Sequence, residues 1–234
     1  MRDLLIFIPC FNDGASVGET IVKALAVLPS AEILVVDDGS DRPIAALPDD
    51  ARIRILRLPE NRGIGLCTLI AIDYVLAGGF RRLARLDADG QHPTERLPDL
   101  LARLDRGDCD LVVGERINRG DGHGAMAWAR GLARAYFACF ASFLTAGRAP
   151  QDVNSGFFAM TREAAQVVGG FDLRHYPEPE LYVRAARAGL RLASVNIEQH
   201  DRRDSQSTLG LARFVSMLYR FHVFVADILI ARGR

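Results

Sequence analysis

The sequence predicts an α/β protein built on a Rossmann-like, mostly parallel sheet flanked by helices, and three observations carry that prediction. Along the first hundred residues, short continuous apolar runs alternate with stretches of helical spacing, the pattern of strand and crossover helix in a doubly wound sheet. Each of four apolar runs stops at a polar segment: "PCFND", "DDGSD", "DADGQH" and "GERINRG". With 234 residues, 49% of them hydrophobic and 25% charged, the chain is long enough to bury a core of its own as one domain.

Taken in order, "LLIFIP" reads as a buried strand and "SVGETIVKALAVL" as the helix after it. "AEILVVDDGS" is a second strand closed by an Asp-Gly turn, and "RIRILRL" alternates as a third. "GIGLCTLIAIDYVLAGG" has the length of a helix and ends in glycines; "FRRLARLDADG" is the fourth strand, "TERLPDLLARLDRG" a helix and "CDLVVGER" the fifth strand. Single helices between strands imply parallel pairing with right-handed crossovers. The second half adds a helix over 125–146, the loop "GRAPQDVN", the strand "SGFFAMT", helices near 162–168 and 179–188, the strand "LRLASVNI", the polar loop "EQHDRRDSQS" and a last helix from about 209. No repeat, low-complexity tract or linker divides it, so a single domain over 1–234 is expected.

Composition excludes several classes. The formal net charge is zero, which gives no reason to expect nucleic acid as a partner. Four cysteines without C-x-x-C spacing indicate neither a disulfide framework nor a zinc site, and a reduced, cytoplasmic setting is expected. The apolar run near the N-terminus is too short for a signal peptide, and "AYFACFASFLTA" and "FHVFVADILIA" fall short of the roughly 18–20 residues a membrane span needs. Lys23 is the only lysine, so a fixed cation in a site has to be an arginine, whose planar fork suits phosphate.

In a sheet of this kind ligands bind beyond the carboxyl ends of the strands, where the polar segments lie. Asp87 and Asp89, two apart, point the same way if the strand persists. With Gln91 they are oxygen ligands suited to Mg²⁺ or Mn²⁺. Alone, the triplet reads equally as a turn in which Asp89 or Thr94 caps a helix. Asp37 and Asp38 are acceptor-only groups that answer the N–H donors of a base or the hydroxyls of a ribose, or else form an Asx turn. Asn12 and Asp13 offer caps to the helix that begins near Ala15, a role compatible with contacting a nucleotide. The amides of Gly63 and Gly65, just before a helix, suit a diphosphate, and close packing explains the same glycines.

"IPCFND", "ILVVDDGSD", "NRG", "LDADGQHP" and "DVNSGFFAM", in that order over residues 3 to 210, together resemble the family 2 glycosyltransferases of GT-A fold. The subgroup they look most like is the polyprenyl-phosphate (dolichyl-phosphate) mannosyl- or glucosyltransferases. The resemblance implies a nucleotide-sugar half up to residue 115, an acceptor-side half over 116–208 and an amphipathic helix over 209–234. It implies that Pro9, Phe11, Asp13 and Asp38 line a nucleotide pocket, with Asn12, Asp37, Gly63 and Ala88 beside them. Asp87, Asp89 and Gln91 would hold Mg²⁺ or Mn²⁺ on the donor diphosphate. Arg116, Arg130 and Arg202 match positions that meet donor or acceptor phosphate, and Ser155 and Gly156 open a strand beside the sugar. The family usually carries Tyr and Glu where this chain has Phe11 and Asp13, and Lys after Ser207, where this chain has Thr208; Arg203 and Arg134 are the candidate substitutes.

The implied reaction moves a hexose from a GDP- or UDP-linked sugar to a polyprenyl phosphate with inversion. Charge builds on the departing diphosphate, where metal and arginine stabilise it. A phosphate acceptor is already anionic, with a second pKa of about 6, whereas a hydroxyl acceptor needs a carboxylate base; Glu180 is the lead candidate, with Glu178 and Asp152 behind it. A hydroxyl acceptor and a non-catalytic sugar-nucleotide-binding module remain the alternatives. Nucleotidyl transfer would ordinarily bring a Gly-rich basic loop after the first strand, and "PCFNDG" is not one. In the last helix Arg213, Arg220 and Asp227 recur every seven residues as a narrow polar stripe. Its apolar remainder has to be covered by the domain, by a second subunit in a homodimer, or peripherally by the inner face of a membrane.

Overall fold

Strand β1 (Arg2–Cys10) shows how the sheet divides the molecule: Leu5 and Phe7 enter one core, Leu4, Ile6 and Ile8 the other. That is the two-residue alternation of a strand covered on both faces. The structure is a computed structural model and describes residues 2–117, 125–198, 200 and 211–230, apart from residues 15, 43, 45 and 46. After β1 come α1 (Val17–Val27), β2 (Glu32–Asp37), β3 (Ile53–Arg57), α2 (Ile64–Gly78), β4 (Phe80–Arg85), a 3₁₀ turn at Thr94–Arg96, α3 (Leu97–Leu104) and β5 (Leu111–Arg116). Then follow α4 (Ala125–Thr145), β6 (Phe158–Thr161), α5 (Arg162–Val168), α6 (Pro177–Arg187), β7 (Leu192–Ile197) and α7 (Leu211–Ile230).

The strands form one sheet in the order β3-β2-β1-β4-β6-β5-β7. Helices α1 and α3 cover one face, supplying Val17, Ile21, Leu97 and Leu100 to its core. The other face is covered by α2, α5 and α6, and beyond them α4 and α7 add Phe137, Phe221 and Phe224 to the same core. The chain builds β1, β2 and β3 outward in one direction and then returns to place β4 on the opposite side of β1. That reversal opens a crevice between the carboxyl ends of β1 and β4, where ligands bind in open α/β sheets.

One strand runs against the others. β6 lies between β4 and β5 and is antiparallel to both. Residues 146–157 bring the chain back to the carboxyl edge, so the next strand runs the other way, with Phe158 opposite Arg85. The N-cap position of α1 falls to Ser16, without a side-chain bond, the Asp13 carbonyl accepts the Ser16 and Val17 amides, and the Asn12 side chain turns instead to Asp41.

α7 is covered by the domain on one side. Phe221 stacks edge-on to Phe137 of α4 at 4.6 Å between centroids, Tyr136 Oη lies 2.7 Å from His222 Nε2, and Asp227 accepts from Arg184 of α6 at 2.7 Å. No helix of the described residues is long and apolar enough to cross a membrane.

Candidate active site

The crevice at the β1/β4 reversal has a volume of about 230 Å³ and is lined by Pro9, Cys10, Phe11, Asp13, Asp38, Ile64, Cys67, Asp87, Ala88 and Asp89. Seven of these stand among the residues expected at a nucleotide or metal. They meet because β1, β2 and β4 end at one edge, in a register that pairs Cys10 with Asp37 and Phe7 with Arg85. The crevice is acidic on its walls, with Asp13, Asp38, Asp87 and Asp89, and carries an exposed aromatic ring, Phe11, 43% accessible.

Asp38 also holds the wall together. Its two oxygens accept the amides of Arg62 and Gly63 at 2.7 and 2.8 Å, tying the end of β2 to the start of α2. The Gly63 amide, expected to face a diphosphate, is therefore committed to Asp38. Gly65 serves packing, since a Cβ there would come within 1.9 Å of the Leu173 carbonyl oxygen. Asp37 does not line the crevice; it is buried, accepts the Ser40 amide at 2.9 Å and pairs with Arg57 at 3.4 Å. Asn12 lies at the rim, where its backbone amide donates to Ser40 Oγ and its side chain exchanges hydrogen bonds with Asp41, joining the loops after β1 and β2.

Asp87 and Asp89 face the crevice, and Gln91 does not line it. The Gln91 amide donates to Asp89 Oδ1 at 3.0 Å, which closes a local turn, while Pro93 and Arg96 hold the cap positions of the 3₁₀ turn and α3 without side-chain bonds. Among the described residues no group of three or more His, Cys, Asp and Glu is arranged to hold a metal. Two carboxylates on one wall do fit a hard divalent ion, which commonly takes one or two carboxylates and completes its shell with water and substrate phosphate.

Other expected residues serve the frame. Ser155 is buried, its hydroxyl donating to the Gly114 carbonyl at 2.7 Å. Gly156 sits against the site: a Cβ there would lie 2.8 Å from Arg85 Nη2 and 3.1 Å from Asp87 Oδ2. Arg116 forks onto Asp152, with Nη2 to Oδ1 at 2.7 Å. Arg130 falls in α4 with its side chain outside the described residues, and Arg202, Arg203, Ser207 and Thr208 lie outside them altogether. Glu180, expected as a base, is wholly buried and absent from the crevice wall. Its Oε1 accepts the amides of His175 and Tyr176 at 2.9 and 2.7 Å, closing the first turn of its own helix, and burial raises its pKa.

Several residues escaped the sequence reading. His92 Nδ1 accepts the Asp87 amide at 2.9 Å, and its Nε2 lies 3.4 Å from Asp87 Oδ2. Burial pushes the His92 pKa down against the pull of the Asp87 carboxylate, and the ring braces the loop through its bond to the Asp87 amide. Arg85, at 3% exposure, donates to Asp87 Oδ1 at 3.0 Å and to Glu178 Oε1 at 3.0 Å. Burial opposes the charge on Asp87, but His92 and Arg85 outweigh it and hold the carboxyl below its ordinary value. Cys10 and Cys67 line the wall as protonated thiols, pushed by burial to about 11 and about 12, and are inert as nucleophiles.

A sequence model of the family described as Glycosyl transferase family 2 matches residues 5–169. Polyprenol monophosphomannose synthase of Mycolicibacterium smegmatis is 29% identical over 170 residues, 70% of this chain and 63% of that protein, so the chain spans less than two thirds of that relative. An undecaprenyl-phosphate mannosyltransferase of Micrococcus luteus is 26% identical over 222 residues, covering 88% of this chain and 87% of that protein. Glucosyl-3-phosphoglycerate synthase of Mycobacterium tuberculosis, crystallised with Mn²⁺, uridine diphosphate and phosphoglyceric acid, superposes with a TM-score of 0.69 at 18% identity, over 97% of this chain and 78% of that one. That likeness shows the GT-A fold.

Proposed function

Because the chain belongs to glycosyl transferase family 2, we infer that it transfers a hexose from a nucleotide diphosphate sugar to a polyprenyl phosphate, inverting the anomeric centre. The observation that carries this reading is the crevice where Phe11, Asp13, Asp38, Asp87 and Asp89 converge at the reversal of strand order. Phe11 offers a ring face to a base, and Asp13 offers an acceptor to base or ribose donors. Asp87 and Asp89 would hold Mg²⁺ or Mn²⁺, which when bound offsets the charge gathering on the departing diphosphate.

The positions of the candidate bases support a phosphate acceptor. A hydroxyl needs a base, and the three candidates are otherwise engaged: Glu180 inside its helix, Glu178 on Arg85, Asp152 on Arg116. A phosphate acceptor is already a nucleophilic anion and needs no proton removed, which agrees with relatives named for polyprenol and undecaprenyl-phosphate substrates.

The test is transfer by the purified chain from UDP- and GDP-hexoses to polyprenyl phosphate with Mn²⁺ or Mg²⁺. A glycolipid from one donor is expected. Donor hydrolysis alone, or product only on hydroxyl acceptors, would sink the lipid-phosphate reading. Asp89→Asn keeps the acceptor for the Gln91 amide. It is expected to lower transfer by on the order of 100-fold while leaving the melting temperature in place.

A further inference from the structure

Arg85 ends β4 two residues before Asp87, and its guanidinium is shared between two carboxylates on different elements. Nη2 and Nε reach Asp87 Oδ1 at 3.0 and 3.3 Å, Nη1 reaches Glu178 Oε1 on α6 at 3.0 Å, and Cζ lies 5.9 Å from the Phe158 ring centroid. The space it fills exists because residue 156 has no side chain. Arg85 does not line the crevice, so it is not placed to touch a diphosphate and acts through Asp87.

A buried guanidinium is tolerated only when paired, and this one is paired with a carboxylate that also faces the crevice. Any divalent ion that comes to Asp87 must share it with a charge that cannot leave. We propose that Arg85 is a resident cation that competes with a divalent ion for Asp87 and so weakens the divalent-ion affinity of the site. Glu178 is its counterweight: by drawing off part of the guanidinium charge it leaves Asp87 enough to bind. This rests on the reading of Asp87 and Asp89 as the ion-holding pair.

The experiment titrates Mn²⁺ into the full chain, followed by electron paramagnetic resonance, with and without UDP or GDP. It compares the wild type with Arg85→Met/Glu178→Gln, which removes the cation together with the carboxylate it would strand. The double variant is expected to bind Mn²⁺ about two- to fivefold more tightly, the net of losing a unit cation that touches Asp87 and a unit anion that lies beyond it, acting through a high effective dielectric. A merely structural arginine predicts the opposite, because a loosened Asp87 binds ions less well. Arg85→Lys keeps the charge while losing the fork, and its Mn²⁺ affinity is expected to stay at or below that of the wild type, within about fivefold. Equal or weaker binding by a folded double variant, or a fall of more than about fivefold in Arg85→Lys, overturns the proposal; if the double variant does not fold, the lysine variant decides. If neither wild type nor double variant binds Mn²⁺ with any nucleotide, the ion-holding reading itself fails, a result distinct from wild-type binding that the double variant does not improve.

Discussion

Glu180 keeps an acidic side chain inside the fold, with Oε1 on two backbone amides and Oε2 buried without a hydrogen-bond partner. Burial raises its pKa above the ordinary 4.5, outweighing the two amides that favour the anion. The folded state therefore binds this proton more tightly than the unfolded chain. Its contribution to stability is complete below pH 4.5 and is lost as the pH climbs through the raised value. Glu180→Gln keeps the Oε1 acceptor and removes the titration, so its melting temperature is expected to lack that decline across the same window. Because Glu180 is off the crevice wall, the variant is also expected to keep transfer within about threefold of the wild type, whereas loss of a catalytic base costs on the order of 100-fold or more. Thermal melts against pH and a turnover assay check the two halves. The residue shows where sequence reading stops. Asp13, Asp38, Asp87 and Asp89 were legible because each follows an apolar strand at the one edge open to ligands, but nothing local says whether a glutamate at a helix start faces a ligand or the amides of its own first turn. Arg85 was hidden for a related reason: in "FRRLARL" three arginines look alike, and only the sheet makes Arg81 exposed and Arg85 buried.

At the scale of elements, the hinge of the site is the start of α2, which carries Ile64 and Cys67 into the crevice wall. Its position is set by Asp38 gripping the Arg62 and Gly63 amides on one side and by Gly65 resting on the Leu173 carbonyl on the other. A backbone oxygen 1.9 Å from a new Cβ cannot be moved by a rotamer change. Gly65→Ala is accordingly expected to cost about 1–3 kcal/mol or more, read as a lower urea midpoint with an unchanged slope; an unchanged midpoint would show that α2 is not seated this way. The elements themselves were legible, since apolar runs and helical spacing marked strands and helices at the places where they form. The direction of β6 was not. A four-residue strand has the same period whichever way it runs, and its reversal is set by the return of residues 146–157 to the carboxyl edge, a tertiary fact.

For the molecule as a whole, the question is what meets α4 and α7. Their inner sides join the core, yet Leu132 is 61% exposed, Phe143 76%, Tyr219 70% and Ile230 69%. The same two helices contain Arg130, Arg134, Arg213 and Arg220 against a single acid, Asp227, which pairs with Arg184. Exposed apolar side chains on two helices whose sequence is net basic suit the surface of an anionic bilayer, where each basic residue near the headgroups contributes about 1 kcal/mol. If the acceptor is a polyprenyl phosphate, such a contact would bring the enzyme to the surface where that lipid resides. The chain is expected to float with phosphatidylglycerol vesicles at low salt, less so with phosphatidylcholine alone, and to be released as salt screens the charges. Phe143→Ser removes about 2 kcal/mol of burial into the interface, so vesicle affinity is expected to fall at least about tenfold with transfer to a short, water-soluble polyprenyl phosphate unchanged. A second copy is the competing occupant of this face. A dimer by light scattering that Phe143→Ser dissociates, without vesicle binding by the wild type, would overturn the membrane reading, because the same apolar residues would then be covered by protein.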